Sequence, residues 1–170
     1  KTTDLGKTWS NIIPNDDITG FARNIQEDYV NKDLLFLGTE LGLYITINGG
    51  DKWSKFTKNV PPVAIHYIEL QANTNDLVMG THGRGVIIID DISPLREINE
   101  TNLSNKLYFF ERDEFEIQEF GGFADNFGRE TQFIGANSSL SCQIQYLLPK
   151  RHTFGKMTME IQDMQGNKVT

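Results

Sequence analysis

The chain has 170 residues, 38% of them hydrophobic and 11% aromatic, with 15 glycines. That is enough apolar material for a hydrophobic core in one or two small domains, and it excludes a disordered or fibrous polypeptide. The formal net charge of −7 argues against nucleic acid or an anionic membrane surface as partner, because both are polyanions.

In chain order, the first recognisable element is TTDLGKTW at residues 2–9, and a near copy, TINGGDKW, stands at residues 46–53. Each copy ends on one of the two tryptophans, Trp9 and Trp53, 44 residues apart. The similarity extends outwards. LLFLGTELGLYITINGG (34–50) aligns with DLVMGTHGRGVIIIDDI (76–92) when one residue is inserted in the second glycine loop. A period of this length is the signature of a solenoid or a propeller. Within the complete unit, runs of strand length are predicted at 22–28, 33–38, 42–47 and 53–57. The next unit repeats them at 64–70, 77–80, 85–90 and 95–98, and its corner has decayed to IDDISPL. Four short strands per repeat describe the blade of a β-propeller. The expected fold is therefore all-β: about two four-stranded blades plus the tail of another over residues 1–98, a polar linker at 99–106, and β-sandwich strands over 107–170.

The repeated corner has a chemical explanation. Asp4 can accept hydrogen bonds from backbone N–H groups just ahead of it, and Asn48 can substitute in the second copy. Gly6 and Gly50 permit a positive φ. Trp9 and Trp53 then cap the corner with large rings. Asp4, Gly6, Trp9, Asn48, Gly50 and Trp53 are thus expected to be structural, forming hairpins between third and fourth strands.

TTDLGKTW resembles the Asp box, S-x-D-x-G-x-T-W, of bacterial neuraminidase-type repeats, which occur in sialidases, xyloglucanase-like glycosidases and sortilin-type receptors. The second copy departs from that pattern at Asn48 and Lys52. NDLVMGTHGRGVIIIDDISPLREI (75–98) resembles the closing-blade segment of large exported bacterial proteins of this class. The resemblance covers residues 1 to about 105. It implies a secreted, periplasmic or cell-surface location and a propeller that recognises a protein, peptide or glycan. The same resemblance leaves two alternatives: a glycoside hydrolase whose catalytic carboxylates lie in other blades, and a scaffold in a cell-surface complex. A propeller needs typically 4–8 blades to close, so the remaining blades are expected from the parent chain or from other chains of an assembly.

Beyond residue 106 the period is lost. KLYFFERDEF and FGGFADNFG are aromatic and glycine-rich, whereas SCQIQYLLP (141–149) and KMTMEIQDMQGNKV (156–169) alternate in period two. The latter place Met157, Met159 and Ile161 on one strand face, with QGN as a hairpin turn. They resemble the start of an immunoglobulin-like sandwich, with Gly135 and Asn137 retained from the G-x-N-P-P-x-G-A element that precedes it in the family and both prolines lost.

For ligand binding, propeller geometry puts the second-to-third strand loops at the end opposite the Asp boxes. His82 and Arg84 in THGRG (81–85) and Glu40 in TELG (39–42) are the candidates, since flanking glycines let a ligand approach and a guanidinium suits a carboxylate or sulfate. The structural alternative is a tight loop with Arg84 paired to an acidic neighbour. No catalytic pair is selected: Asp90 and Asp91 are adjacent, so on a strand they point to opposite faces. His66, His82 and His152 share no metal-ligand spacing, and no cofactor is expected. The lone Cys142 excludes an internal disulfide and reads as a buried small hydrophobe. No apolar run approaches the roughly 20 residues that would span a bilayer.

Overall fold

The computed structural model describes residues 1–13, 18–104, 107–111 and 143–169. The protein is dominated by antiparallel strands, as expected for an all-β chain. Cys142, Gly135, Asn137 and the FGGFADNFG stretch lie outside the described residues.

The complete unit is a four-stranded meander of β1 (Ala22–Glu27), β2 (Leu35–Thr39), β3 (Gly42–Thr46) and β4 (Ser54–Phe56), each paired antiparallel with the next. The following unit supplies β5 (Ile65–Gln71), β6 (Asp76–Thr81) and β7 (Val86–Ile89) in a three-stranded sheet. The expected fourth strand at 95–98 does not form. Pro94 starts a short helix instead, α1 (Ser93–Glu97). Proline fixes φ near the helical value and lacks the N–H that a sheet ladder needs, so it suits a first helical turn and disfavours a strand there. The expected linker holds a second helical turn, α2 (Glu100–Ser104), whose Asn102 N–H donates to Asn99 Oδ1 at 3.0 Å.

The two sheets stack face to face in repeat register. Leu34, Phe36, Leu43 and Ile45 on one face of the first sheet meet Ile65, Ile68, Leu70, Leu77 and Met79 of the second in one core. The opposite face of the first sheet carries Leu35, Leu37, Tyr44 and Trp53, and is covered by Ile12, Ile13 and Ile18. Both faces of β2 and β3 are therefore buried, and their sequences are nearly continuous in apolar residues rather than alternating. Gly38 marks the closest approach: a Cβ there would stand 2.9 Å from Ile65 Cγ2 and 3.0 Å from the Ile65 carbonyl oxygen.

The remaining ordered pairs are short. β8 (Tyr108–Phe109) pairs with β9 (Tyr146–Leu147), and β10 (Ile161–Gln162) with β11 (Lys168–Val169) around a turn at 163–167. The strand expected to carry Met157, Met159 and Ile161 on one face begins only at Ile161, and all three side chains are more than half exposed.

Candidate functional site

The meander fixes two ends. The loops β1–β2, β3–β4 and β5–β6 lie at one end of the sheets, and β2–β3, β4–β5 and β6–β7 at the other. The two repeated corners, at residues 2–9 and 46–53, belong to the first end, and Glu40, His82 and Arg84 to the second.

At the first end both corners are tied by their own side chains. Thr2 Oγ1 donates to Asp4 Oδ1 at 2.9 Å, while Thr2 Oγ1 accepts from the Gly6 N–H at 2.8 Å. Asp4 also receives the Thr8 N–H at 2.9 Å and the Thr8 hydroxyl at 2.7 Å. Those two bonds from Thr8, with the one from Thr2, hold the Asp4 carboxyl down at about 2, because hydrogen bonds to the charged form favour it. In the second corner Thr46 Oγ1 donates to Asn48 Oδ1 at 2.7 Å and accepts from the Gly50 N–H at 3.1 Å, and the Lys52 N–H donates to Asn48 Oδ1 at 3.0 Å. Trp53 is buried and its indole N–H reaches the Ile12 carbonyl at 2.8 Å. Trp9 instead folds back on its own turn, donating to the Gly6 carbonyl at 3.1 Å, and remains 74% exposed. The two rings therefore cap their corners differently, since no described residue covers Trp9 as Ile12 covers Trp53. An open groove of about 640 Å³ runs between the two corners, lined by Lys1, Thr3, Asn11, Asp33, Asn48 and Asp51 among others.

The same end holds a buried ionic clamp that the sequence reading missed. Asp28, in the β1–β2 loop, is 1% exposed. Its carboxylate receives Arg96 Nη2 at 2.9 Å and Nε at 3.0 Å, and the backbone N–H groups of Val30 and Asn31. Arg96 Nη1 donates to Asn75 Oδ1 at 2.7 Å, and its guanidinium lies 4.7 Å from the centre of the Tyr29 ring. Burial opposes the charge of Arg96, and the hydrogen bonds to Asp28 outweigh it, so its pKa is raised. Removing one partner would leave a buried charge uncompensated. The clamp joins α1 to both units and leaves Asp28 no free oxygen for chemistry. The available signal was that Arg96 is the only basic residue between Gly85 and Ser104.

At the second end the repeat governs the side chains as well. Both units carry a register shift on their first strand, between Ala22 and Asn24 and between Ile65 and Tyr67. Such bulges re-aim a side chain. The residues at the two shifts are Arg23 and His66, and each meets the residue at the matching position of its own second-to-third loop. Arg23 Nη2 pairs with Glu40 Oε1 at 3.6 Å, with its guanidinium 4.7 Å from the Phe21 ring centre. The His66 ring stacks on His82, centroids 5.6 Å apart. Glu40 and His82 are thus equivalent, 42 residues apart in the alignment, but no hydrogen bond or ion pair joins Glu40, His82 and Arg84 to one another among the described residues. The β6–β7 loop itself is closed by Thr81, whose N–H and hydroxyl both reach the Gly85 carbonyl, at 3.0 and 2.7 Å. Arg84 stands exposed at its tip, and no acidic partner faces it among the described residues. Gly83 and Gly85 adopt φ of +82° and +68°, and a Cβ at either would meet nothing within 4 Å. Backbone conformation, not crowding, is what calls for glycine there.

Asp90 is exposed beyond the end of β7, and Asp91 turns the chain with φ +48° towards α1. Among the described residues no group of three or more histidine, cysteine or acidic side chains could hold a metal, and no helix is long and apolar enough to cross a membrane. Compared with known proteins, the chain matches no family model, no curated protein and no solved structure.

Proposed function

We propose that this chain is part of an exported, sortilin-like β-propeller that acts in recognition rather than catalysis, with the β2–β3 and β6–β7 loop end as its binding surface. One observation carries this reading. The two units hold the same strand shift and the same loop position in register, yet fill them differently, with an arginine–glutamate pair in one and a pair of imidazoles beside a solvent-facing arginine in the next. A constant frame that presents variable polar side chains from loops is how rigid scaffolds build recognition surfaces. On this view Arg84 receives an anionic group of a peptide or an acidic glycan, and the stacked His66 and His82 rings flank it. The Asp boxes stay at the opposite end and serve the architecture of the blades.

The test is retention of the intact chain on peptide and glycan arrays rich in carboxylate and sulfate groups. Arg84→Ala is expected to weaken capture by roughly tenfold or more, the loss of one charge-assisted hydrogen-bonding partner. Turnover of a defined glycoside by the chain, or capture indifferent to Arg84→Ala and His82→Ala, would overturn the reading.

A further inference from the structure

In each unit a side-chain pair joins the first strand to the second-to-third loop, and only one of the two pairs is chemically closed. Arg23 and Glu40 neutralise each other across 3.6 Å. At the matching positions of the next unit, His66 and His82 stack with ring centroids 5.6 Å apart and planes inclined by 27°. The backbone sets this placement. Ile65 pairs with Thr81 and Tyr67 with Gly80, so His66 is the extra residue of the bulge, while the His82 N–H donates to the Ala64 carbonyl at 2.9 Å. Both side chains are exposed, and neither ring makes a hydrogen bond or ion pair among the described residues. Each neutral imidazole carries one acceptor nitrogen, and that nitrogen is the commonest protein ligand for transition metals. Two such acceptors therefore stand side by side, unused.

We infer that His66 and His82 form a cross-strand site for a late first-row divalent ion, Zn²⁺ or Cu²⁺. The spacing suits one. With metal–nitrogen bonds of about 2.0–2.1 Å, two imidazoles at a tetrahedral angle have their centroids roughly 5 Å apart, so the rings need only turn about their own side-chain bonds while the strands stay in place. Imidazole nitrogen selects such ions over Mg²⁺ and Ca²⁺, which prefer oxygen. Among the described residues no third histidine, cysteine or carboxylate completes the set, so the remaining coordination positions fall to water. Arg84, in the same loop, adds a positive charge that opposes the ion. Affinity thus rests on the two imidazoles acting together. A bound ion would tie β5 to the β6–β7 loop as the Arg23–Glu40 pair ties the equivalent segments one unit earlier. This inference is independent of anion capture by Arg84.

The direct probe is titration of the isotope-labelled full chain with Zn²⁺ in chelator-treated buffer, following the imidazole resonances. The signals of His66 and His82 are expected to shift together, saturably and with one midpoint, before His152 responds. His66→Ala and His82→Ala should each reduce the affinity about tenfold or more, because one imidazole alone loses the advantage of two tethered ligands. Both positions are exposed, so neither change empties the core. In calorimetry Cu²⁺ should bind more tightly than Zn²⁺ at the same pair, following the general order of these ions. Arg84→Ala, which weakens anion capture under the proposed function, should leave the Zn²⁺ affinity intact or raise it, so the two readings fail separately. Separate midpoints for His66 and His82, full affinity in either single variant, or equal shifts of the pair with Mg²⁺ or Ca²⁺ would overturn the inference.

Discussion

The corner at residues 2–9 and the corner at residues 46–53 are chemically parallel and physically unlike. In each, a threonine hydroxyl and an Asx side chain satisfy the backbone donors of the turn. They differ in what the tryptophan touches. Trp53 is 4% exposed and bonded to a carbonyl of the preceding unit, whereas Trp9 lies on its own glycine and faces solvent. The difference separates two roles that one motif combines. The polar residues make the turn locally, and the indole makes the joint between units only where a neighbour is present.

The comparison can be broken most forcefully at the tryptophans. Trp53→Ala should cost about 3–5 kcal/mol, the range for deleting a buried large aromatic, whereas Trp9→Ala should cost under about 0.5 kcal/mol as a surface change. Chemical denaturation of the two variants checks this, and equal losses would show that the corners are equivalent after all. The glycines give a smaller contrast. Gly50 has φ +105° and a Cβ there would stand 2.8 Å from Ile12 Cβ, while at Gly6, φ +87°, the nearest atom is Trp9 Cζ2 at 3.9 Å. Gly6→Ala should therefore cost about 1–2 kcal/mol for the left-handed backbone. Gly50→Ala should cost that plus about 1–3 kcal/mol for overpacking.

The smallest effect is in pH. Asp4 is lowered from 3.8 to about 2 by its bonds from Thr8 and Thr2. A depressed carboxyl contributes stability that is present above its unfolded pKa and is lost as pH falls through the folded value. The first corner should loosen between about pH 4 and pH 2, and the second, built on Asn48, has no such window. A carboxyl-carbon titration of Asp4 with its midpoint at about 2 would agree, and a midpoint at the ordinary aspartate value would not.

Much of this was legible because it is local. Corner bonds span two to four residues, so residue types at fixed spacing predict them, and seven of the eight strands expected across the two units formed within a few residues of their predicted bounds. The eighth failed on Pro94, a local signal outweighed by the expectation of a fourth strand. What remained hidden depends on register or on distance. Arg23 meets Glu40 and His66 meets His82 only because a strand slips by one residue, which no apolar pattern records. Asp28 and Arg96 are 68 residues apart, and their pairing follows from how the units stack. The exposure of Trp9 was likewise invisible, since its motif is the better match of the two.

The most direct test of the central claim, that one corner is a mated joint and the other an open one, is acrylamide quenching of two single-tryptophan proteins. Trp9→Phe, which retains Trp53, should emit at short wavelength and resist quenching, and Trp53→Phe, which retains Trp9, should emit at long wavelength and be quenched nearly as readily as a free indole. Equal quenching of the two, or a protected Trp9, would contradict the account.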